Sequence, residues 1–331
     1  MKNVIHVVCA TDNKYIPFCG ITITSIFENN KFNNVYVHVF GSKLNSVNED
    51  LLKKIGDKYE QKVVVYNFEE YISSEYASTL LQAASLHPKH HVSIVGYNRF
   101  FIAKILPDTI TRAIYIDCDV IVCQSLEGLW EEDINNYAIG CVESHTVIID
   151  DNKQCCLQAN LNPLKDRYFN SGVMLMNLTY WRQHNLMEQC VFCVREMPDL
   201  SRKLCDQDIL NYVLRDKKKM LHPKYNVQNL FFSDRRLLKN YSDIYDSVEQ
   251  RVIIHYLSSV KPWHRECDHP LKNEWLKYMS ISEWNNYRIR YKLNWKQRLV
   301  YRLKLIIRYI FCMVSSTFRK KHPLYDSVWR Q

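Results

Sequence analysis

Glycine is scarce in this chain of 331 residues: seven occur, at positions 20, 41, 56, 96, 128, 140 and 172, and no two are closer than twelve residues. Phosphate loops of the Rossmann and Walker types need glycines a few residues apart, so that backbone N–H groups can approach phosphate oxygens. Both motifs are absent, and the glycine-rich nucleotide loop of sugar-nucleotide pyrophosphorylases is disfavoured with them. A nucleotide diphosphate bound here would need a divalent cation and side-chain cations to neutralise it. Long apolar runs are missing too. The run without charge from Tyr309 to Phe318 is half of what a bilayer span requires, and the opening "MKNVIHVVCATDNKY" has too short an apolar stretch for a signal peptide. The twelve cysteines are scattered, and the one Cys-x-x-Cys, Cys190 to Cys193, lacks a second pair at zinc-site spacing. They read as reduced core thiols in a cytosolic protein.

What is present is apolar surface, 47% of residues, enough for a substantial core. The formal charge of +9 is unevenly placed: residues 288–331 hold twelve Lys or Arg and one acid, which leaves the remainder slightly acidic. The basicity belongs to a tail. The predicted partition is therefore a catalytic body, residues 1–287, and a basic C-terminal segment, 288–331.

Along the body, Val4 to Cys9 and Val35 to Phe40 read as strands around a helical segment, Phe18 to Asn29. Ser46 and Glu49 have capping-box spacing at the start of a second helix, which leads to a strand at Lys62 to Tyr66. A helix around Ser93 to Leu106 precedes a strand at Ala113 to Ile116. "YAIGCVE", Tyr168 to Leu178 and Arg251 to Leu257 read as further strands, and "DQDILNYVL" as a helix opening at Asp206. This alternation predicts an α/β fold with a mainly parallel sheet flanked by helices and a ligand site at the carboxyl ends of its strands.

Within "RAIYIDCDVIV", Asp117 and Asp119 stand at the end of an apolar strand. Side chains two apart in extended chain share a face, so the pair can converge on one cation; two solvated carboxylates at a strand-to-loop junction is the plainer alternative. His255 in "IIHYLSSVKPWH" is either a satisfied strand histidine or a third ligand, and Lys261 either a surface lysine or a phosphate contact.

Six segments in order, "CATDNKY", "VSIVGYNRF", "YIDCDVIV", "FNSGVMLMNLTYWRQH", "DQDILN" and "HYLSSVKPWH", resemble the motifs of glycosyltransferase family 8, in particular its bacterial lipopolysaccharide and lipooligosaccharide α-galactosyl- and glucosyltransferases. The resemblance implies a GT-A fold and transfer from UDP-galactose or UDP-glucose, with retention of anomeric configuration, to a saccharide acceptor, in the setting of lipopolysaccharide core or another lipid-linked surface glycan. It implies Mn²⁺, or Mg²⁺, held by Asp117, Asp119 and His255. It places Ala10, Thr11, Asp12, Asn13, Arg99, Cys118, Asn170, Ser258 and Lys261 at the donor, and Asp206 and Gln207 at the sugar as the catalytic pair. Thr11 and Ser258 depart from the family pattern, which has a carboxylate and a glycine there. No nucleophile follows from the resemblance, and same-face attack is the expectation, since a Gln207 amide is a poor nucleophile.

The tail carries Leu299, Leu303, Ile306, Ile307, Ile310 and Val314 at helical spacing, interleaved with Lys296, Arg298, Arg302, Lys304 and Arg308. This predicts an amphipathic helix on an anionic membrane surface, at the cytoplasmic face of a bacterial inner membrane. A glycogenin-like self-glucosylating protein is a second reading within the family. Nucleic-acid binding through the tail is a reading of another class, opposed by the slightly acidic body, so no nucleic-acid partner is expected.

Overall fold

The computed structural model describes residues 4–86, 94–144, 161–162, 165–197, 206–232 and 242–314. The strands are β1 (Ile5–Asp12), β2 (Val35–Ser42), β3 (Lys62–Asn67), β4 (Arg112–Ile116), β5 (Val120–Val122), β6 (Ile139–Glu143), β7 (Phe169–Asn177), β8 (Lys218–Met220), β9 (Val227–Gln228) and β10 (Ile253–His255); β-branched and aromatic residues dominate β2 to β5, whereas β8 has none. A 7-stranded sheet has the order β3-β2-β1-β4-β7-β6-β8. β1 to β4 are parallel neighbours and β8 runs parallel to β6, whereas β7 is antiparallel to β4 and β6. The predicted mainly parallel sheet is present, with one reversed strand near its centre. Because β7 runs backwards, its first residues lie beside the carboxyl end of β4, where Asp117 begins.

Both faces of the sheet are covered, so its strands are apolar on both sides. Ile5, Val7 and Cys9 pack with the helix Ile16–Glu28 on one face, while Val8 and Ala10 pack with Phe100, Phe101 and Tyr115 on the other. Gly20 leaves a notch filled by the Trp284 ring, which a Cβ would meet at 1.7 Å. The described cysteines are free, and most are buried, as expected of core thiols.

Three sequence expectations are corrected. The helix Ser46–Lys58 is capped by Asn45, whose side chain accepts from Asn48 N at 2.9 Å, so Ser46 is its first residue and not its cap. The helix expected over Ser93 to Leu106 is a 3₁₀ segment, Ile94–Phe101, followed by a single α turn, Ile102–Ile105; residue 93 lies outside the described residues. The strand expected over Arg251 to Leu257 shortens to β10 and joins a separate 3-stranded sheet, β5-β10-β9.

Beyond residue 287 the chain straps onto the body. Arg265 N donates to Arg290 O at 3.0 Å, and the Glu266 carboxylate accepts Lys292 N at 3.1 Å and Leu293 N at 2.9 Å. The helix Trp295–Val314 follows and leaves Trp295, Leu299, Leu303 and Ile306 exposed. The side chains of Lys304, Ile307, Arg308, Ile310 and Val314 lie outside the described residues. Among the described residues no helix is long and apolar enough to cross a membrane.

Candidate active site

The two sheets meet at the turn Asp117–Cys118–Asp119, between β4 and β5. The acids converge through this turn and not through a strand pleat, which corrects the geometry expected from their spacing. β10 pairs antiparallel with β5, setting His255 opposite Val120, and Tyr256 N donates to Asp119 O at 3.0 Å. That register delivers the imidazole: His255 Nε2 lies 3.1 Å from Asp119 Oδ1 and 4.0 Å from Asp117 Oδ2. Ligand atoms of Asp117, Asp119 and His255 all lie within 4.8 Å of one another, a spacing one cation can bridge.

Gly172 makes this approach possible. A Cβ there would stand 2.2 Å from His255 Cε1 and 2.6 Å from Asp117 Oδ2, so only glycine leaves the ligands their positions. Behind the imidazole, His255 Nδ1 lies 3.0 Å from Asn226 Oδ1, and Asn226 Nδ2 donates to Asn170 Oδ1 at 2.8 Å. Since Asn226 offers an oxygen to Nδ1, Nε2 is the nitrogen directed at the carboxylates and the one that would offer its lone pair to a bound metal.

Asp117 Oδ1 also accepts from Tyr115 at 2.7 Å and from Arg99 Nη2 at 2.9 Å, and Arg99 Nε lies 3.1 Å from Asp206 Oδ2. Burial works against the Arg99 charge, but Asp117 and Asp206 overcome it and hold the guanidinium more firmly protonated than usual. For Asp206 burial dominates and, with Asp117 nearby, pushes its carboxyl up to about 6 despite Arg99. Lys261 Nζ lies 2.5 Å from Asp119 Oδ2. Burial would raise the Asp119 carboxyl, yet Lys261 and His255 hold it well below the usual carboxylate range. Three carboxylates thus share two fixed cations, a surplus of negative charge that suits a dication.

Gln207 stands beside this row. Its Oε1 accepts Asn170 Nδ2 at 3.1 Å and Ser171 N at 3.0 Å, and its Nε2 donates to the Tyr168 hydroxyl at 3.2 Å. Asp206, Gln207, Asn170, Arg99 and the three candidate ligands therefore form one connected group. The residues after β1 have other engagements. Thr11 is buried, with its hydroxyl on Asp12 O; Asp12 Oδ1 accepts Lys14 N and Tyr15 N, both at 2.9 Å. The Asn13 amide ties to Lys43 O, Asn45 N and Asn48 Nδ2. Cys118 turns its thiol inward to Ala10 O at 3.2 Å, and the exposed Ser258 donates to Val260 O. Sequence reasoning missed Tyr115, Ser171, Gly172 and Asn226. Gly172 had a signal in "FNSGV", a glycine inside an apolar strand, whereas nothing in the spacing of "YNVQN" marks Asn226.

The family model for glycosyl transferase family 8 matches residues 6–267. General stress protein A of Bacillus subtilis is 28% identical over 288 residues, 85% of this chain and 95% of that protein. Lipopolysaccharide 1,3-galactosyltransferase of Salmonella typhimurium is 26% identical over 277 residues, 83% of this chain and 77% of that protein. The crystal structure of the galactosyltransferase LgtC with donor and acceptor sugar analogues superposes with a TM-score of 0.69 at 20% identity, covering 84% of this chain and 96% of LgtC. The likeness makes the fold GT-A. Since the family model spans residues 6–267, the chain belongs to glycosyltransferase family 8 and is a glycosyltransferase, which takes a nucleotide-sugar donor and a saccharide acceptor.

Proposed function

We propose that the enzyme transfers galactose or glucose from a UDP-sugar, with retention of configuration, to the saccharide of a lipopolysaccharide core or another lipid-linked surface glycan. The observation that carries this reading is the continuous contact from the metal-type cluster through the Arg99–Asp206 ion pair to the Gln207–Asn170 amides. Lipopolysaccharide transferases among the relatives support the sugar and acceptor classes.

Asp117, Asp119 and His255 would hold Mn²⁺, with Mg²⁺ compatible through the oxygens. Such an ion supplies charge neutralisation at the donor diphosphate. Lys261, now 2.5 Å from Asp119, exchanges that carboxylate for a phosphate oxygen and steadies the charge on departing UDP. Arg99 fixes Asp117 and Asp206 relative to one another, so a sugar hydroxyl held by Asp206 has a defined position relative to the diphosphate. Gln207 is held by four hydrogen bonds as a donor and acceptor for sugar hydroxyls, and its oxygen already accepts three. This arrangement favours same-face attack over a glycosyl–glutamine link: the acceptor oxygen bonds C1 as the C1–phosphate bond breaks, and its proton passes to the departing diphosphate. The helix Trp295–Val314 would lie on the cytoplasmic face of a bacterial inner membrane, with Trp295, Leu299, Leu303 and Ile306 entering the headgroup boundary.

The test is incubation with UDP-galactose, UDP-glucose and UDP-N-acetylglucosamine, each with Mn²⁺ and core oligosaccharides, followed by proton NMR of the product. One of the first two donors should give a new α-linkage. A β-linkage, or transfer from the N-acetylated donor alone, would refute the proposal.

A further inference from the structure

A second cleft, of about 740 Å³, lies between the loop Arg265–Asp268, the strap after residue 287 and the first turns of the helix Trp295–Val314. Arg265, Lys272, Arg288, Arg298 and Arg302 line it against two carboxylates, Glu266 and Asp268. Glu266 accepts the backbone N–H groups of Lys292 and Leu293, and Asp268 accepts the Tyr301 hydroxyl. Among the described residues, none of the four arginines has a carboxylate within ion-pair range. Arg298 and Arg265 instead sit over the Tyr291 ring, at 4.2 and 5.2 Å from its centre. Five cations facing two carboxylates leave this concavity net positive, and its guanidinium groups present planar forks that match a phosphate group.

The cleft borders an apolar stripe. Trp295, Leu299, Leu303 and Ile306 recur at three- and four-residue intervals and are 65, 55, 49 and 53% exposed. Arg298 and Arg302 flank this stripe on the same helix and face the cleft. A soluble anion would use the cations and leave the stripe bare; an amphiphile bearing a phosphate would use both. We propose that this cleft binds the phosphate headgroup of an anionic lipid, with the acyl chains running along Leu299 and Leu303. The inference deepens, and rests on, the membrane reading of the tail: it replaces diffuse attraction by one defined headgroup site.

The full chain is tested against phosphatidylcholine vesicles doped with phosphatidic acid or, at matched surface charge, with oleate. Water-soluble dihexanoyl phosphatidic acid and inorganic phosphate are titrated separately. Arg288→Gln/Arg302→Gln should weaken binding to phosphatidic acid vesicles on the order of thirtyfold, as expected for two lost surface cations. The remote pair Lys53→Gln/Lys54→Gln should change it little. Leu299→Gln/Leu303→Gln should weaken the soluble lipid without affecting inorganic phosphate. Should the arginine pair fail to fold, Arg302→Glu alone carries the same test. Equal losses in the arginine and lysine pairs, or equal binding of wild type to oleate and phosphatidic acid vesicles, overturns the site in favour of unspecific charge. Inorganic phosphate binding as tightly as the soluble lipid overturns the lipid assignment. If vesicles are not bound while the soluble lipid still binds in an arginine-dependent way, the membrane reading falls and the phosphate cleft stands.

Discussion

Replacing Gly172 by Ala probes the site through space alone, because it adds one methyl and removes no ligand. That methyl would lie 2.2 Å from His255 Cε1 and 2.6 Å from Asp117 Oδ2. Carbon atoms prefer about 3.5–4.0 Å, so the imidazole must retreat by more than about 1 Å. It has little freedom to do so. His255 is held by Asn226 at 3.0 Å and faces Asp119 at 3.1 Å, while Asp117 is fixed by Tyr115 and Arg99. The backbone cannot shift without loss either, since Asp117 N donates to Gly172 O at 2.9 Å. Overpacking of this kind costs about 1–3 kcal/mol of stability. The larger effect falls on the site: a displaced ligand should lower Mn²⁺ affinity by roughly 10–100-fold, the range typical when a ligand's support is lost. Calorimetric titration with Mn²⁺, a thermal melt and UDP release would measure the three quantities on one sample. A Gly172→Ala enzyme that melts slightly early but binds Mn²⁺ and turns over as wild type would show that room at residue 172 does not set the ligand geometry.

Other perturbations separate the roles of neighbouring groups. Asn226→Leu strands the buried His255 Nδ1–H without an acceptor, so Mn²⁺ affinity measured by electron paramagnetic resonance should fall about tenfold or more; unchanged affinity would make Asn226 a packing residue only. Asp206→Asn and Gln207→Ala should lower kcat by orders of magnitude while UDP affinity changes little, and a matching loss of UDP binding would place them at the nucleotide. Lys261→Ala should weaken UDP binding and slow transfer together; an effect on neither would leave Lys261 as a partner of Asp119 alone. Burial lowers the His38 and His269 imidazoles from 6.5 to about 3. The unfolded chain therefore takes up their protons first, so stability should be lost as pH falls below about 6.5, by up to about 1.4 kcal/mol per pH unit per imidazole. Urea midpoints between pH 6.5 and 5 that do not flatten in His38→Leu/His269→Leu would sink that account.

The sequence was most informative where local pattern decides structure. β1 to β4 lie within three residues of their expected bounds because each is an apolar run between polar turns, and the acid pair announced itself by interrupting such a run. It was least informative where long-range pairing decides. β5, β9 and β10 are two or three residues each and become strands only by finding one another across the chain, and β7 gives no local sign that it runs antiparallel. The 3₁₀ segment Ile94–Phe101 carries Arg99, whose Nε donates to Gly96 O at 2.9 Å while Gly96 lies against Asp206, a contact that no periodicity of the segment encodes. His255 and Lys261 could be named from their motif, but the support of His255 by Asn226 required the second sheet. Residues 289–293 bind back onto 264–266, an attachment that the charge boundary at residue 288 did not reveal.

The central claim is that Asp117, Asp119 and His255 bind one divalent cation on which transfer from a UDP-sugar depends. The most direct measurement is UDP release from UDP-galactose and UDP-glucose by chelator-treated wild type and Asp119→Ala across a Mn²⁺ titration. Wild type should be inactive when stripped and recover with added Mn²⁺, and Asp119→Ala should stay slower by orders of magnitude at every concentration. Full activity in stripped wild type, or near-normal turnover in Asp119→Ala, would contradict it.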